Sequence, residues 1–408
     1  MTSKDSQKPK AKNQKLSAKP QVQQVKTRLV LNFPGFEPTD TAHQLGRLNY
    51  AAQNTGKIWG FKTTQSEATH NSNKHHSTVT HKTTAPNWQT TTRIVQFRWN
   101  DIVHEYEKTS FPLGFLRSSL KYLSFFSDGT IFGYFKTSKR YWGFTIFPIL
   151  LVCIFAICSW VLIGQFIGNI FIQIILSTLL TLILCKVLGK ATYLLTTIAD
   201  WHFARDMVER SNKETESRFT EFSKTIIAEL KTKKYDEIIV VGHSFGSLWA
   251  IAAIAQALDA QPKLLDNKKI TFLALGSSIL KIALSPNAQF MRDYWNKVTA
   301  NKNLFWHEIQ TKDDWIAFYK YDPFELPQFN TPLGGYLINK IKFKDGMEKP
   351  RYKKMRSSFY TTHRQYILYY DKRVHFDYML RLFGPFSAKS LALNNELHRS
   401  IDHCGKLV

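Results

Sequence analysis

Glu237-Ile-Ile-Val-Val-Gly-His-Ser-Phe-Gly246 is the stretch on which the reading of this chain turns. Ile238 to Val241 form a short β-branched run that predicts a buried strand. It passes straight into Gly242-His243-Ser244-Phe245-Gly246, a G-x-S-x-G. The apolar segment Leu248-Trp-Ala-Ile-Ala-Ala-Ile-Ala-Gln-Ala-Leu258 follows and predicts a helix. Small residues produce a bare G-x-S-x-G by chance, but a strand before it and a helix after it give the motif chemical meaning. The turn then holds Ser244 in a strained conformation with its hydroxyl clear of the backbone. The two glycines let neighbouring chain pass where a Cβ would collide. Ser244 is therefore the candidate nucleophile, set in a nucleophile elbow.

A chain of 408 residues has room for two average domains or one large α/β domain with insertions. Of its four cysteines, Cys153, Cys158 and Cys185 lie in one apolar block and Cys404 near the end, so no disulfide framework is readable. That usage fits a reducing compartment. Met1 to Lys26 is polar and basic, without the apolar run of a secretory signal. A net charge of +24 calls for an anionic partner. No nucleic-acid motif is present, and the aromatic residues sit in apolar segments rather than among the basic ones. An anionic membrane surface is thus the expected partner, and nucleic acid is not expected.

Residues 1–28 carry Lys4, Lys8, Lys10, Lys12, Lys15, Lys19, Lys26 and Arg28 against Asp5 alone, which predicts a disordered basic tail. Such a tail is either solubilising or an electrostatic tether to anionic lipid. Order is expected from a strand at Arg28 to Phe33, stopped by Pro34-Gly-Phe-Glu-Pro38. A helix capped by Thr39 or Asp40 should follow. Residues 53–89 are rich in Thr, Ser, Asn, His and Lys and read as a long polar insertion. Its His70, His75, His76 and His81 lack the Cys or paired carboxylates of a metal site, so neither metal nor cofactor is expected. Arg93 to Arg98 predicts another strand.

Trp142 to Ile163 is nearly all apolar and uncharged, and Ile167 to Cys185 is a second such run. Each is close to the ~20 residues that a helix needs to cross a bilayer. A pair of buried core helices, or an apolar lid lying on the membrane, is the alternative reading. Two adjacent runs joined by an uncharged connection favour a transmembrane hairpin over residues 141–190. Lys136, Lys139 and Arg140 before it, and Lys186 and Lys190 after it, predict that both outer ends are cytoplasmic. Residues 29–140 and 191–408 are then free to build one domain on the cytoplasmic side. A helical pattern of mixed charge is expected from Ala191 to Lys231. Strands are expected at Ile270–Leu275, Leu304–Ile309 and Tyr336–Phe343, alternating with helices, and so a parallel sheet covered on both faces.

A serine hydroxyl needs a base, commonly a histidine oriented by a carboxylate. On a doubly wound sheet these partners come from loops downstream of the serine, the acid first. Asp314, just beyond the Leu304–Ile309 strand and packed by Trp315 and Ile316, is the candidate acid. Asp313 and Asp322 are alternatives. His363, where an extended aromatic run is expected to meet a helix, is the candidate base, with His375, His398 and His403 as rivals. His307 reads as a core residue of its strand, and His243 as a support for the turn. The backbone N–H groups of Phe245 and Phe36 are the candidate oxyanion donors, since Gly35 allows close approach and Pro34 cannot donate.

The strand–G-H-S-F-G–helix unit, the upstream P-G-F-E-P loop and the downstream Asp and His resemble the α/β-hydrolase superfamily over roughly residues 28–100 and 191–383. The resemblance implies a mostly parallel, doubly wound sheet with the two transmembrane helices inserted. It also implies a Ser244–Asp314–His363 triad with Phe36 and Phe245 around the oxyanion. The usual H-G before the oxyanion loop is Pro34-Gly35 here. The first two strands of the full fold have no clear counterpart, which suggests a trimmed sheet. The expected function is a membrane-anchored serine hydrolase cleaving an ester or thioester, with a lipid or acyl substrate. Lys340, Lys342, Lys344, Lys349, Arg351, Lys353, Lys354 and Arg356 could face anionic lipid. The alternative is a non-catalytic, membrane-tethered interaction platform on the same scaffold.

Overall fold

The computed structural model describes residues 24–71, 75–108 and 110–408. Strand β1 (Thr27–Phe33) is followed by helix α1 (Thr41–Trp59), capped by the Asp40 carboxylate on the His43 amide at 2.8 Å. Strands β2 (Lys62–Gln65), β3 (Thr69–Asn71), β4 (His76–Ala85) and β5 (Trp88–Phe97) come next. Helices α2 (Asn100–Glu107), α3 (Leu113–Ser127) and α4 (Thr130–Thr137) lead to two long apolar helices, α5 (Lys139–Gly164) and α6 (Ile170–Gly189). Helices α7 (Leu194–Glu209) and α8 (Lys213–Thr232) bring the chain back to β6 (Glu237–His243) and α9 (Gly246–Ala260). Then follow β7 (Ile270–Leu275), α10 (Ile279–Ala283), α11 (Gln289–Thr299), β8 (Leu304–Thr311) and β9 (Tyr336–Ile341). Short helices α12 (Lys349–Met355), α13 (Phe359–Arg364), α14 (Tyr378–Phe383) and α15 (Ala388–Leu393) follow.

Among the described residues the strands form one nine-stranded mixed sheet in the order β2-β4-β5-β1-β6-β7-β8-β9, with β3 paired to β4. From β5 to β9 every pairing is parallel, and β2, β3 and β4 are antiparallel to their neighbours. The architecture is therefore α/β with a mostly parallel sheet. All seven residues of β6 are buried, as a strand covered on both faces must be, and this is why it reads as an unbroken apolar run. Ile238 and Val240 join Leu29, Leu31 and Phe33 in the core under α8 and α9, while Ile239 and Val241 join Val30 and Ile94 on the opposite face. The chain leaves β1 for β5 on one side and continues through β6 to β7 on the other. A crevice at such a reversal, beyond the carboxyl ends of the strands, is where sheets of this kind hold ligands.

Three expectations need correction. Residues 53–89 are not a loop: α1 runs on to Trp59, and β2, β3 and β4 fill one edge of the sheet. Their alternation is carried by hydroxyl and imidazole groups rather than hydrocarbon, with Thr63, His81 and Thr83 buried and Lys62, Lys82 and Thr84 exposed. Threonine suits a pleated surface as well as valine does. The sheet is consequently not trimmed. Arg28 is not part of a tail. It is fully buried in β1, ion-paired to Glu237 at 2.8 Å and donating to the Leu382, Gly384 and Phe386 carbonyls. The basic residues from Lys4 to Lys19 lie outside the described residues. The helical pattern expected over Ala191–Lys231 is present as two helices, broken at Arg210 with φ 53°.

Helices α5 and α6 are long and apolar enough to cross a membrane, and only 17% and 11% of their most apolar windows are covered by protein. A soluble core helix would be mostly buried. The first turns of α5 belong to the domain: Tyr141, Phe144 and Thr145 are buried, and the exposed apolar side chains begin at Leu150.

Candidate active site

Strand β6 ends in a tight turn at Ser244. Ser244 has φ 54°, a region that a non-glycine residue enters at a cost of about 1–3 kcal/mol. The turn is held by the Ser244 amide on the Leu275 carbonyl (3.0 Å), while the Ser244 carbonyl accepts from the amides of Ser247 (3.1 Å) and Ser278 (3.2 Å). A Cβ at Gly242 would run into Ser247 Cα, and one at Gly246 would overlap the Phe33 carbonyl. Both glycines are thus required by close backbone approach, one to α9 and the other to the end of β1. A Cβ at Gly35 would come within 3.1 Å of Ser244 Cβ, so the loop after β1 lies directly against the serine.

The turn after β8 separates the two neighbouring aspartates. Asp314 is completely buried, with Oδ2 2.7 Å from His363 Nδ1 and Oδ1 accepting the Ile316 amide at 2.9 Å. Asp313 points elsewhere, accepting the Tyr352 hydroxyl at 2.9 Å and the Phe343 amide at 3.3 Å. Asp322 accepts the Phe324 amide and the Tyr336 hydroxyl, both at 2.9 Å. Ile316 supports Asp314 through its backbone, but Trp315 is 41% exposed and does not pack it in place.

His363 is buried and lies in α13, so the expected extended run before it is instead a short helix. A carboxylate only accepts, so His363 Nδ1 carries a proton and donates it to Asp314. The His363 Nε2 has no hydrogen-bond partner among the described residues. His243 donates from Nε2 to the His363 carbonyl at 3.0 Å, and burial drives its pKa well below the usual histidine range. It is a neutral support for the backbone of the histidine next to it, their rings 4.8 Å apart. His307 is buried in β8 against Asn339 at 2.6 Å, its pKa pushed down to about 3 by burial. His375 is exposed, and His398 packs edge-on to Trp59. Neither they nor His403 line the pocket that holds the serine.

That pocket is lined by Gly35, Phe36, Phe144, Asp200, Ser244 and His363, among others. Among the described residues the Phe36 and Phe245 amides have no acceptor. The Pro34 carbonyl accepts from Trp99 Nε1 at 3.0 Å, which fixes the loop that carries Phe36. Sequence reasoning missed two further groups. Ser278 places its Oγ 3.2 Å from Ser244 Oγ, and nothing in the loop after β7 marked it. Asp200, buried in the pocket wall, hydrogen-bonds to buried Lys281, whose ammonium lies 3.9 Å from the Trp201 ring centroid and 5.0 Å from that of Phe245. Burial raises the Asp200 pKa and lowers that of Lys281, each opposed by the attraction of the other. Asp200 did carry a signal, as a lone acid in the apolar run Leu194 to Trp201. No group of three or more His, Cys, Asp or Glu side chains among the described residues is placed to hold a metal ion.

The groups gathered here are a serine hydroxyl whose hydrogen-bond partner is Ser278, an imidazole whose Nε2 has none among the described residues, a buried carboxylate behind that imidazole and two unengaged amides. Comparison with protein-family models, with curated proteins and with solved structures finds no match to this chain.

Proposed function

We propose that the chain is a membrane-anchored serine hydrolase of the α/β-hydrolase kind, cleaving the ester or thioester bond of an acyl lipid. The observation that carries this reading is the 2.7 Å contact of Asp314 with His363 Nδ1, in the same pocket as a serine held at positive φ. The chain order supports the family: Ser244 follows β6, Asp314 follows β8 and His363 follows β9. In the reaction Ser244 Oγ attacks the acyl carbonyl carbon while His363 Nε2 takes its proton. Asp314 holds the imidazole in its reactive tautomer and stabilises the imidazolium. The Phe36 and Phe245 amides receive the negative charge that develops on the carbonyl oxygen. The leaving alkoxide or thiolate departs with the proton from His363. Water, deprotonated by the same nitrogen, then releases the acid from the acyl-enzyme.

The lipid substrate is favoured by Phe144, a pocket residue on the same helix that continues as the bare apolar run from Leu150. Phe144 and Phe147 also pack on Phe359, four residues before His363 in α13. The basic flanks at Lys136, Lys139, Arg140, Lys186 and Lys190 favour a cytoplasmic domain. The exposed Lys340, Lys342, Lys344, Lys349, Lys353, Lys354 and Arg356 supply cationic surface. Arg351 is instead paired with Asp371 at 2.6 Å.

The test is a fluorophosphonate probe on the detergent-solubilised protein. Labelling of the wild type, lost in both Ser244→Ala and His363→Ala and kept in His375→Ala, is the expected outcome. One observation favours a second reading, a non-catalytic platform: Ser244 Oγ meets Ser278 Oγ rather than the imidazole. Absence of wild-type labelling would decide for it.

A further inference from the structure

Helix α3 wears its leucines on the outside. Leu113, Leu116, Leu120 and Leu123 fall at i, i+3, i+7 and i+10, a single stripe, and are 75%, 56%, 61% and 44% exposed. Its buried side is Ser118, Tyr122 and Phe125. Helix α4, packed against α3, adds Phe132 and Phe135 at 68% and 43% exposure. Isolated apolar side chains on a surface need no explanation, but a set of six large ones on two packed helices needs an occupant.

The position of α3 relative to the long helices names that occupant. Phe111 and Phe115 pack at the cluster formed by Phe155 of α5, Cys185 of α6 and Leu194 and Ile198 of α7, which Leu151 and Val152 of α5 and Leu184 of α6 also border. Leu151 is thirteen residues from the end of α5 at Gly164 and Leu184 fourteen from the start of α6 at Ile170, about 20 Å at the helical rise in each case. The hydrocarbon core of a bilayer is about 30 Å thick. With the connection between α5 and α6 at the far face, the start of α3 therefore lies about 10 Å below the near face. The preceding turns of α5 cannot supply the missing length as bare span, because Tyr141, Phe144 and Thr145 are buried in the domain.

We propose that α3 and α4 form a membrane-embedded element, with the leucine stripe, Phe132 and Phe135 among the acyl chains of the near leaflet. The bilayer is the one that α5 and α6 enter, so the proposal rests on the membrane reading of that hairpin. Continuity supports it: Phe135 lies 5.2 Å from Trp142, and the Lys139 ammonium and the Lys186 ammonium lie over Phe135 and Phe111. Exposed Arg117, Lys136 and Lys139 border the apolar patch, where long cationic side chains reach lipid phosphates. The domain then sits sunk in the leaflet instead of hanging from a tether. Phe144, seven residues and about 10 Å back along α5 from Leu151, comes to the near face of the hydrocarbon. That is the depth at which the ester groups of acyl lipids lie, so the pocket meets its substrate without lifting it from the membrane.

The test uses the full chain in vesicles of mixed phosphatidylcholine and phosphatidylserine, with a membrane-partitioned diazirine as the probe and its insertion sites mapped by mass spectrometry. Label is expected in α5 and α6 and also in α3 and α4. In the Leu116→Glu/Leu120→Glu variant, whose substitutions touch only exposed positions, the label in α3 should fall about tenfold while that in α5 and α6 persists. Labelled long helices with unlabelled α3 and α4 would overturn the proposal. So would cross-linking of α3 to a second copy, which would give the stripe a protein partner. Absence of label from all four helices would overturn the membrane reading beneath it, whatever the fluorophosphonate result.

Discussion

A methyl group at Gly246 would overlap the Phe33 carbonyl oxygen, an atom fixed by the β1·β6 pairing and unable to retreat. Gly246→Ala is therefore expected to displace the turn that carries Ser244 and to destabilise the chain by about 1–3 kcal/mol, within the range for overpacked cores. A lowered thermal midpoint together with lost fluorophosphonate labelling would be the signature. Unchanged values for both would mean that α9 can slide away from β1. Asp313 and Asp314 make the complementary point about adjacent residues. They are chemically identical and consecutive, and the turn after β8 aims one at Tyr352 and the other at His363.

Between elements, the Asp200–Lys281 pair joins α7 to α10 within the wall of the candidate site. Removing one partner of a buried pair leaves an uncompensated charge and costs about 3–5 kcal/mol. Lys281→Met should accordingly lower the thermal midpoint sharply, and adding Asp200→Asn should recover much of the loss. A double mutant no more stable than the single one would show that the pair is not coupled in this way. The legibility of the elements follows from their chemistry. Strand β6 and helix α9 were readable because burial on both sides leaves an unbroken apolar run, and α5 and α6 because their apolar stretches are long. The β2–β4 edge was hidden because its alternation is written in threonine and histidine. The α2–α4 region gave no assignment, since the leucines of α3 follow a helical period but face away from the core. Ser244 was marked by its glycines. Asp314 and His363 were choices among rivals, because what distinguishes them is a loop geometry that no local pattern encodes.

For the molecule as a whole, Glu308 sets a pH dependence. It is buried in β8, accepts from Trp306 Nε1 at 3.1 Å, and has its pKa pushed up to about 7 by burial. A carboxyl group raised in the fold is neutral there while the unfolded chain is already charged. Its contribution is thus whole below pH ~4.5 and is lost progressively as the pH rises to about 7, on the order of 3 kcal/mol in all. The thermal midpoint of the wild type should fall across that window, and Glu308→Gln should flatten the profile. A variant with the parental slope would assign the dependence to other groups.

The central strand β1 has β5 on one side and β6 on the other, and both apolar helices lie between those two in the chain. On the membrane reading, a ribosome releases β1 and β5 long before β6 exists, and two crossings must be completed in between. Arg28 waits 209 residues for Glu237. A chain that crossed once would leave β6 and the serine on the opposite side, with Arg28 unpaired and the sheet split at its middle. Formation of the turn that carries Ser244 is in this way conditional on correct insertion. Newly made chains that fail it would expose an open parallel edge to the quality-control machinery of the cell.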